Sequence, residues 1–205
     1  MNYNTEKFRQ GLVNLKLELT EKRIEQFLKY YEMLIEKNKV MNLTAITEYD
    51  EVIEKHFLDS ISLCQVYDLS KQVKILDMGT GAGFPGIPLK IAFSEVEITL
   101  ADSLNKRIKF LDEVVAELGL EKVTTVHARA EELARNKEYR ENYDLVVSRA
   151  VANLSTLGEY CIPFVKMGGN FISYKSGEID EEVNAAGKAI KILGGQIKDV
   201  YKFDL

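Results

Sequence analysis

Seventeen residues, KILDMGTGAGFPGIPLK from Lys74 to Lys90, leave this chain few folds to choose from. An apolar run ends at Asp77, glycines follow at positions 79, 81, 83 and 86, and prolines at 85 and 88 lead into a second apolar run. Glycine lets backbone turn tightly and lets a ligand approach it closely. Proline is tolerated in the first turn of a helix, where its missing N–H would have no partner. The stretch therefore predicts a strand, a tight loop and a helix in immediate succession.

The residues that follow repeat the theme. VEITLAD (96–102), KVTTVHA (122–128), YDLVVSRA (143–150) and GGNFISYKS (168–176) read, like VKILD (73–77), as buried strands. Helical stretches fall between them at about 84–93, 104–118, 129–138, 152–162 and 179–193, with Gly119 placed as a helix C-cap. This alternation predicts an α/β fold, a mostly parallel central sheet with helices on both faces. The first 70 residues read differently. In TEKRIEQFLKYYEMLIEKN, apolar residues at 24, 27, 28, 31, 34 and 35 trace one helical face, with Thr20 as N-cap. Thr47 is placed to cap a second helical run, EYDEVIEKHFLDSISLCQVY. We divide the chain into a helical extension, 1–70, and an α/β domain, 71–205, a length that suits one such domain plus a small addition.

Composition excludes more than it selects. No apolar run nears the roughly 20 residues of a membrane span, and MNYNTEKFRQ lacks the apolar core of a signal peptide. The two cysteines, Cys64 and Cys161, have no metal or disulfide spacing. The expectation is a cytoplasmic protein with no metal and no membrane partner. A formal net charge of −5 means that any nucleic-acid site must be a local patch.

Ligands of parallel sheets bind beyond the carboxyl ends of the strands, so the candidate site residues are those just after each strand. The glycines admit two frames. Gly81-x-Gly83-x-x-Gly86 fits a dinucleotide loop, and Asp77-x-Gly79-x-Gly81-x-Gly83 fits the loop of S-adenosylmethionine (SAM) methyltransferases. Asp77 at the strand end, and a front segment unlike a substrate domain, favour SAM. Asp102, ending the second strand, can accept from both ribose hydroxyls. Phe84 stands either beside the cofactor or in the core. Ala130 and Glu131, after the third strand, lie where an adenine ring would be gripped, though Glu131 reads equally as a first-turn helix carboxylate. His127 reads as a packed strand residue. Ser148-Arg149-Ala150 ends the fourth strand and faces the transferable methyl, without the Asn-Pro-Pro-aromatic stretch of exocyclic-amine methylation and without a cysteine nucleophile. Cys161 reads as packing. No catalytic base is assigned. An acceptor nucleophilic without one is indicated, and guanine N7 is such an atom.

NLTAI (42–46), HFLDS (56–60), LDMGTGAGFPGIPL (76–89), DSLNKRIKFL (102–111), RAE (129–131), SRA (148–150) and GG…YKSG (168–177) resemble one family, in register from about residue 20 to 205. It is the glucose-inhibited division protein B family of bacterial 16S ribosomal RNA guanine-N7 methyltransferases. The resemblance implies a Rossmann-like SAM-dependent methyltransferase with an N-terminal helical extension, acting on one guanine of 16S rRNA within the small ribosomal subunit. It carries SAM contacts onto Gly79 and Phe84, Asp102, Ser103 and Leu104, Ala130 and Glu131, and Arg149, to which the loop adds Gly81. A cation on the methylated ring would oppose the reaction, so Arg149 is expected to hold a carboxylate of SAM or an RNA phosphate. His56 and Asp59 fall at a helical motif beside the cofactor, or form one polar face of a packed helix. Lys39, Lys106, Arg107, Lys109 and Lys175 meet phosphate or are solvated charges. The family pattern continues past YKFDL into an antiparallel last strand and a basic tail, so that strand is expected to be missing here. Two other readings stand: a SAM enzyme acting on a small molecule or protein, and a non-catalytic nucleotide-binding regulator that takes NAD(H). With no heptad seam, a monomer is expected.

Overall fold

The computed structural model describes residues 3–149 and 151–203. Ala150 of SRA and the last two residues of YKFDL lie outside them. Five strands form one sheet: β1 (Lys74–Met78), β2 (Glu97–Asp102), β3 (Val123–His127), β4 (Tyr143–Arg149) and β5 (Val165–Tyr174). All neighbours are parallel, in the order β3-β2-β1-β4-β5. The chain steps outward from β1 to β3, then returns to place β4 on the other side of β1. The order reverses between β1 and β4, which is where a ligand crevice opens in such sheets. β1, β2 and β4 are buried on both faces because both are covered, as their mostly apolar runs require.

β3 lies on an edge, so none of its side chains is fully buried and Thr124 and His127 are exposed. His127 ends that strand in solvent, with Nε2 3.1 Å from the Ser103 carbonyl oxygen, rather than packed as its neighbours suggest. β5 starts at Val165, three residues before the expected GG. Tyr143 pairs with Val165 and Leu145 with Asn170, so extra β5 residues bulge outward between them. Gly168 takes φ +78° in the bulge, and a Cβ on Gly169 would stand 2.8 Å from the Asp144 carbonyl oxygen.

One face of the sheet carries α5 (Gly86–Ala92) and α6 (Asn105–Glu117), the other α7 (Ala130–Leu133) and α8 (Leu154–Cys161), with α9 (Asp180–Ile192) packed on α8. Gly119 closes α6 at φ +60°, and the Leu120 N–H reaches back to the Val115 carbonyl oxygen. α7 stops well short of residue 138. The Asn136 side chain accepts from the Glu138 N–H (2.9 Å), a local bond that turns the chain out of the helix.

The extension folds as α1 (Glu6–Asn14), α2 (Glu21–Met41) and a run that changes pitch three times: α3 (Tyr49–Val52), a π-helical turn (Ile53–Leu58), α4 (Asp59–Ile61) and a 3₁₀ turn (Ser62–Gln65). Thr20 sits at the cap of α2, but its side chain makes no cap bond. α3 begins at Tyr49 with Glu48 in the cap position, so Thr47 is not the cap; its carbonyl oxygen instead accepts from the Tyr31 hydroxyl (3.0 Å). Phe8, Phe27, Tyr30 and Phe57 interlock with Phe84, and one apolar core runs from the extension into the sheet. No helix among the described residues is long and apolar enough to cross a membrane.

Lys90 is an exception to that core's chemistry. Its side chain crosses the core boundary, and Nζ donates to the Ser94 (2.6 Å) and Val96 (2.7 Å) carbonyl oxygens, holding the turn that joins α5 to β2. Burial pushes its pKa down. Lys90→Met keeps the stem and removes the donor, which leaves two carbonyls without it. The expected loss is roughly 2 kcal/mol, read as a lower denaturation midpoint with an unchanged slope on denaturant.

Candidate functional site

The glycine loop is tied down from three sides. Asp77 is fully buried, and its Oδ2 accepts from the Thr80 hydroxyl (2.7 Å) and the Gly86 N–H (2.8 Å). Tyr30, from the extension, donates its hydroxyl to the Ala82 carbonyl oxygen at 2.6 Å. The Gly79 and Thr80 N–H groups reach the Ala101 carbonyl oxygen, and the Gly83 and Phe84 N–H groups reach that of Thr80. Gly81 donates to Asp102 Oδ2 at 3.0 Å. A side chain at Gly86 would collide with Leu100, which explains that glycine without any ligand.

This wiring decides between the two frames. A dinucleotide's diphosphate needs free N–H groups at the loop and at the helix N-terminus. Here the N–H groups of Gly79, Thr80, Gly81, Gly83, Phe84, Gly86 and Ile87 are spent inside the chain, two of them on the carboxylates of Asp77 and Asp102. Negative charge stands where a diphosphate would have to bind. The loop fits a nucleoside ligand without phosphate. Burial raises the Asp77 pKa to about 6, against the lowering effect of its two donors.

Beyond the ends of β1, β2 and β3 lies a cleft of about 310 Å³, the lower end of the range for small-ligand sites. Met78, Gly79, Asp102, Ser103, Ala128, Arg129, Ala130, Glu131, Val151 and Tyr160 line it. Gly79, Asp102, Ser103, Ala130 and Glu131 are thus brought together. Gly81 lies behind them on Asp102, and Leu104 starts α6 with its N–H on Asp102 Oδ1 (2.8 Å). A Cβ on Gly79, at φ +72°, would meet Val151 Cγ2 at 2.7 Å, so glycine keeps the floor open. Asp102 also accepts from Arg107 Nη1 (3.2 Å). Three of its roughly four lone-pair positions are filled, and one is left for a ligand hydroxyl. A remaining ribose acceptor, a wall made by Met78, Val151 and Tyr160, and loop donors already neutralised fit the adenosine part of SAM. Met78 and Val151 could have been found from their places at the ends of β1 and β4. Tyr160 reaches the cleft from α8 and leaves no local signal.

Phe84 and Arg149 belong to a second cluster. Phe84 is 6% exposed and stacks on His56 (4.5 Å between ring centroids), so its ring sits in the core facing the extension. The Arg149 guanidinium lies 5.0 Å over that ring. Its Nη1 donates to Asp59 Oδ2 (2.7 Å) and to the Lys55 carbonyl oxygen (3.1 Å), and its Nη2 is 3.3 Å from His56 Nδ1. The π-helical turn is what presents Lys55, His56 and Asp59 together to the end of β4. Burial first, and the Arg149 charge second, push the His56 pKa down to about 4, so the ring is neutral at pH 7.

Of the candidate phosphate contacts, Lys175 is held by Glu182 (2.6 Å) and the Ala152 carbonyl oxygen (2.7 Å), and Arg107 by Asp102. Lys39, Lys106 and Lys109 are exposed. Cys161 is fully buried, and burial raises its thiol pKa.

A family profile described as rRNA small subunit methyltransferase G matches residues 23–204. The Ribosomal RNA small subunit methyltransferase G of Lachnoclostridium phytofermentans is 54% identical over 198 residues, 97% of this chain and 82% of that protein. The protein of the same name from Desulforamulus reducens is 49% identical over 205 residues, 100% of this chain and 85% of that one. A SAM-dependent methyltransferase from Aquifex aeolicus superposes with a TM-score of 0.54 at 18% identity, covering 78% of this chain and 87% of its own. A SAM-dependent O-methyltransferase from Thermotoga maritima gives 0.53 at 19%, over 78% and 55%. At those identities the structural likeness is one of fold, the Rossmann-like SAM methyltransferase architecture.

Proposed function

This chain belongs to the rRNA small subunit methyltransferase G family, and from that premise we propose that it transfers the methyl group of SAM to N7 of a guanine in 16S rRNA. The observation that carries the cofactor half is the loop whose donors face Asp77 and Asp102 instead of solvent. When bound, SAM supplies a methyl group on a sulfonium cation, electrophilic without further activation.

The chain's own residues divide the work. Asp102 takes a ribose hydroxyl on its remaining lone pair, with Ser103 and Leu104 beside it. Ala130 and Glu131 hold the adenine edge, while Gly79 and Gly81 keep the floor clear. Arg149 has two donors left after Asp59, Lys55 and His56, enough for one carboxylate of the cofactor or one phosphate of the RNA. Phe84 backs His56 and Arg149 from inside the core. Guanine N7 brings its own lone pair, so alignment replaces a base. His56 agrees with that, because a pKa pushed down to about 4 and a guanidinium against Nδ1 make it a poor base. We read residues 71–205 as the cofactor domain and 1–70 as its cover, in a cytoplasmic monomer that meets the small ribosomal subunit.

Two measurements test this. Calorimetry is expected to show SAM binding, with NADH at least about a hundredfold weaker because a diphosphate meets two carboxylates. Radiolabelled SAM with small subunits from cells lacking the cognate enzyme is expected to label 16S rRNA at one guanine, cleavable as an N7-methyl site. SAM binding without label on that RNA moves the acceptor to a small molecule or protein. NADH binding without SAM binding leaves a nucleotide-binding regulator.

A further inference from the structure

Thr44 sits in the loop between α2 and α3, and both of its backbone polar groups are held by one side chain. Asn38 Oδ1 accepts from the Thr44 N–H, and Asn38 Nδ2 donates to the Thr44 carbonyl oxygen, each at 2.9 Å. The residue is half-buried and fixed in place. Its Oγ1 accepts from the Ile46 N–H at 3.0 Å and lies 2.9 Å from His56 Nε2.

The protonation of His56 follows from its other side. A guanidinium has only donors to offer, so the ring nitrogen 3.3 Å from Arg149 Nη2 must accept. The Lys55 carbonyl oxygen, 3.1 Å from the same Nδ1, accepts from Arg149 Nη1 and keeps a second lone pair, so it is the guanidinium alone that makes Nδ1 the acceptor. In a neutral ring the proton then sits on Nε2 and is donated to Thr44 Oγ1. Both lone pairs of that oxygen are filled, one by His56 and one by Ile46. The hydroxyl proton of Thr44 is left over, and among the described residues no acceptor takes it.

We propose that Thr44 is a specificity-determining residue whose hydroxyl donates to O6 of the target guanine, its direction set by Arg149 through His56. The inference rests on the guanine-N7 reading of this site. A guanine presents two acceptors on its major-groove edge, N7 and O6, whereas adenine presents a donor where O6 would be. A single fixed donor at O6 recognises guanine and leaves N7 open to the methyl group. The His56 ring stacks on Phe84 of the cofactor loop, and Arg149 ends β4 beside the crevice, so this donor belongs to the same end of the sheet as the cleft.

The test uses small subunits reconstituted with guanine or with 2-aminopurine at the target position. 2-Aminopurine keeps N7 and lacks O6. Wild-type chain is expected to methylate the guanine subunits at least about tenfold faster, the worth of one good base-reading hydrogen bond. Thr44→Val is expected to lose that factor on guanine and to match wild type within about twofold on 2-aminopurine. Thr44→Ser, which keeps the hydroxyl, regains the preference for guanine. SAM affinity by calorimetry stays within about twofold in Thr44→Ser, which keeps the acceptor for His56 and for the Ile46 N–H. A Thr44→Val chain that slows equally on both bases has lost structure rather than recognition, and overturns the proposal. So does one that is unchanged on guanine. Nitrogen NMR of His56 reads the relay directly: a proton on Nδ1 would make Nε2 an acceptor, consume the Thr44 hydroxyl and overturn the assignment. If wild-type chain binds SAM but labels neither kind of subunit, the guanine reading itself fails and the proposal falls with it. If it labels guanine and only the variant pattern is absent, the role of Thr44 alone fails.

Discussion

Arg149→Ala is expected to lower unfolding stability by about 3 kcal/mol and to reduce methylation of small subunits at least about a hundredfold. The two effects have separate causes. For stability, the guanidinium is 14% exposed and its Asp59 partner 30%. Removing it strands a half-buried carboxylate, takes the donor from the Lys55 carbonyl oxygen and uncovers the face of Phe84. Partial exposure keeps the loss at the low end of the range for broken buried pairs. In a chain of this size it amounts to a fall in melting temperature of roughly 6–12 °C. A cycle with Asp59→Ala is expected to return a coupling of about 1–2 kcal/mol; strictly additive losses would mean that the pair is not coupled. For activity, the residue's two remaining donors are lost to the cofactor or RNA, and the His56 ring loses the group that orients it. Arg149→Lys is expected to restore little of either, since one ammonium cannot span Asp59, Lys55 and His56 together.

Arg149 also marks where the sequence stops being readable. Its position at the end of an apolar run singled it out, but its partners lie some 90 residues earlier, in a turn whose π pitch no periodicity predicts. The glycine loop was legible because each of its residues answers a local need: a positive φ at Gly79, Gly81 and Gly83, and close contact at Gly86. The strands were legible because β1, β2 and β4 are buried on both faces and need mostly apolar runs. Edges were harder. His127 carries the pattern of a packed residue yet ends an edge strand, and β5 hides its first residues in a bulge. Helix boundaries failed where a polar side chain competed with the backbone, as at Asn136, or where a residue one position away took the cap, as Glu48 does beside Thr47. Phe84 could be placed at the cofactor or in the core from sequence, and only tertiary contacts with Tyr30, Phe57 and His56 put its ring in the core.

Asp77→Ala is expected to cost about 3–4 kcal/mol and to abolish SAM binding. The substitution leaves the Thr80 hydroxyl and the Gly86 N–H, both buried, without their acceptor, at roughly 1–3 kcal/mol each. The loop it anchors is the floor of the cleft. Asp77→Asn behaves differently, because one amide oxygen can accept both bonds in the place of Oδ2. The other carboxylate oxygen, Oδ1, is buried without a partner, so the amide nitrogen that replaces it loses no bond and gains none. Asn also removes a charge that the fold holds against burial. With a folded pKa of about 6 against the ordinary aspartate value of 3.8, Asp77 keeps its proton in the native state at pH values where the unfolded chain has already released it. The native state binds more protons, so stability falls as pH rises from about 4 to about 6 and levels off above. The size of that fall is on the order of 3 kcal/mol. Paired carboxylates such as Asp144 and Glu182 have lowered pKa values and push the other way, so the total curve does not isolate the residue. The difference between wild type and Asp77→Asn does. Unfolding free energies at pH 4 and pH 7.5 are expected to show the Asn chain gaining on wild type by about 2–3 kcal/mol over that interval, while its SAM affinity stays within tenfold. A difference that does not change with pH would mean that Asp77 is ionised throughout, with its negative charge held by the two donors alone.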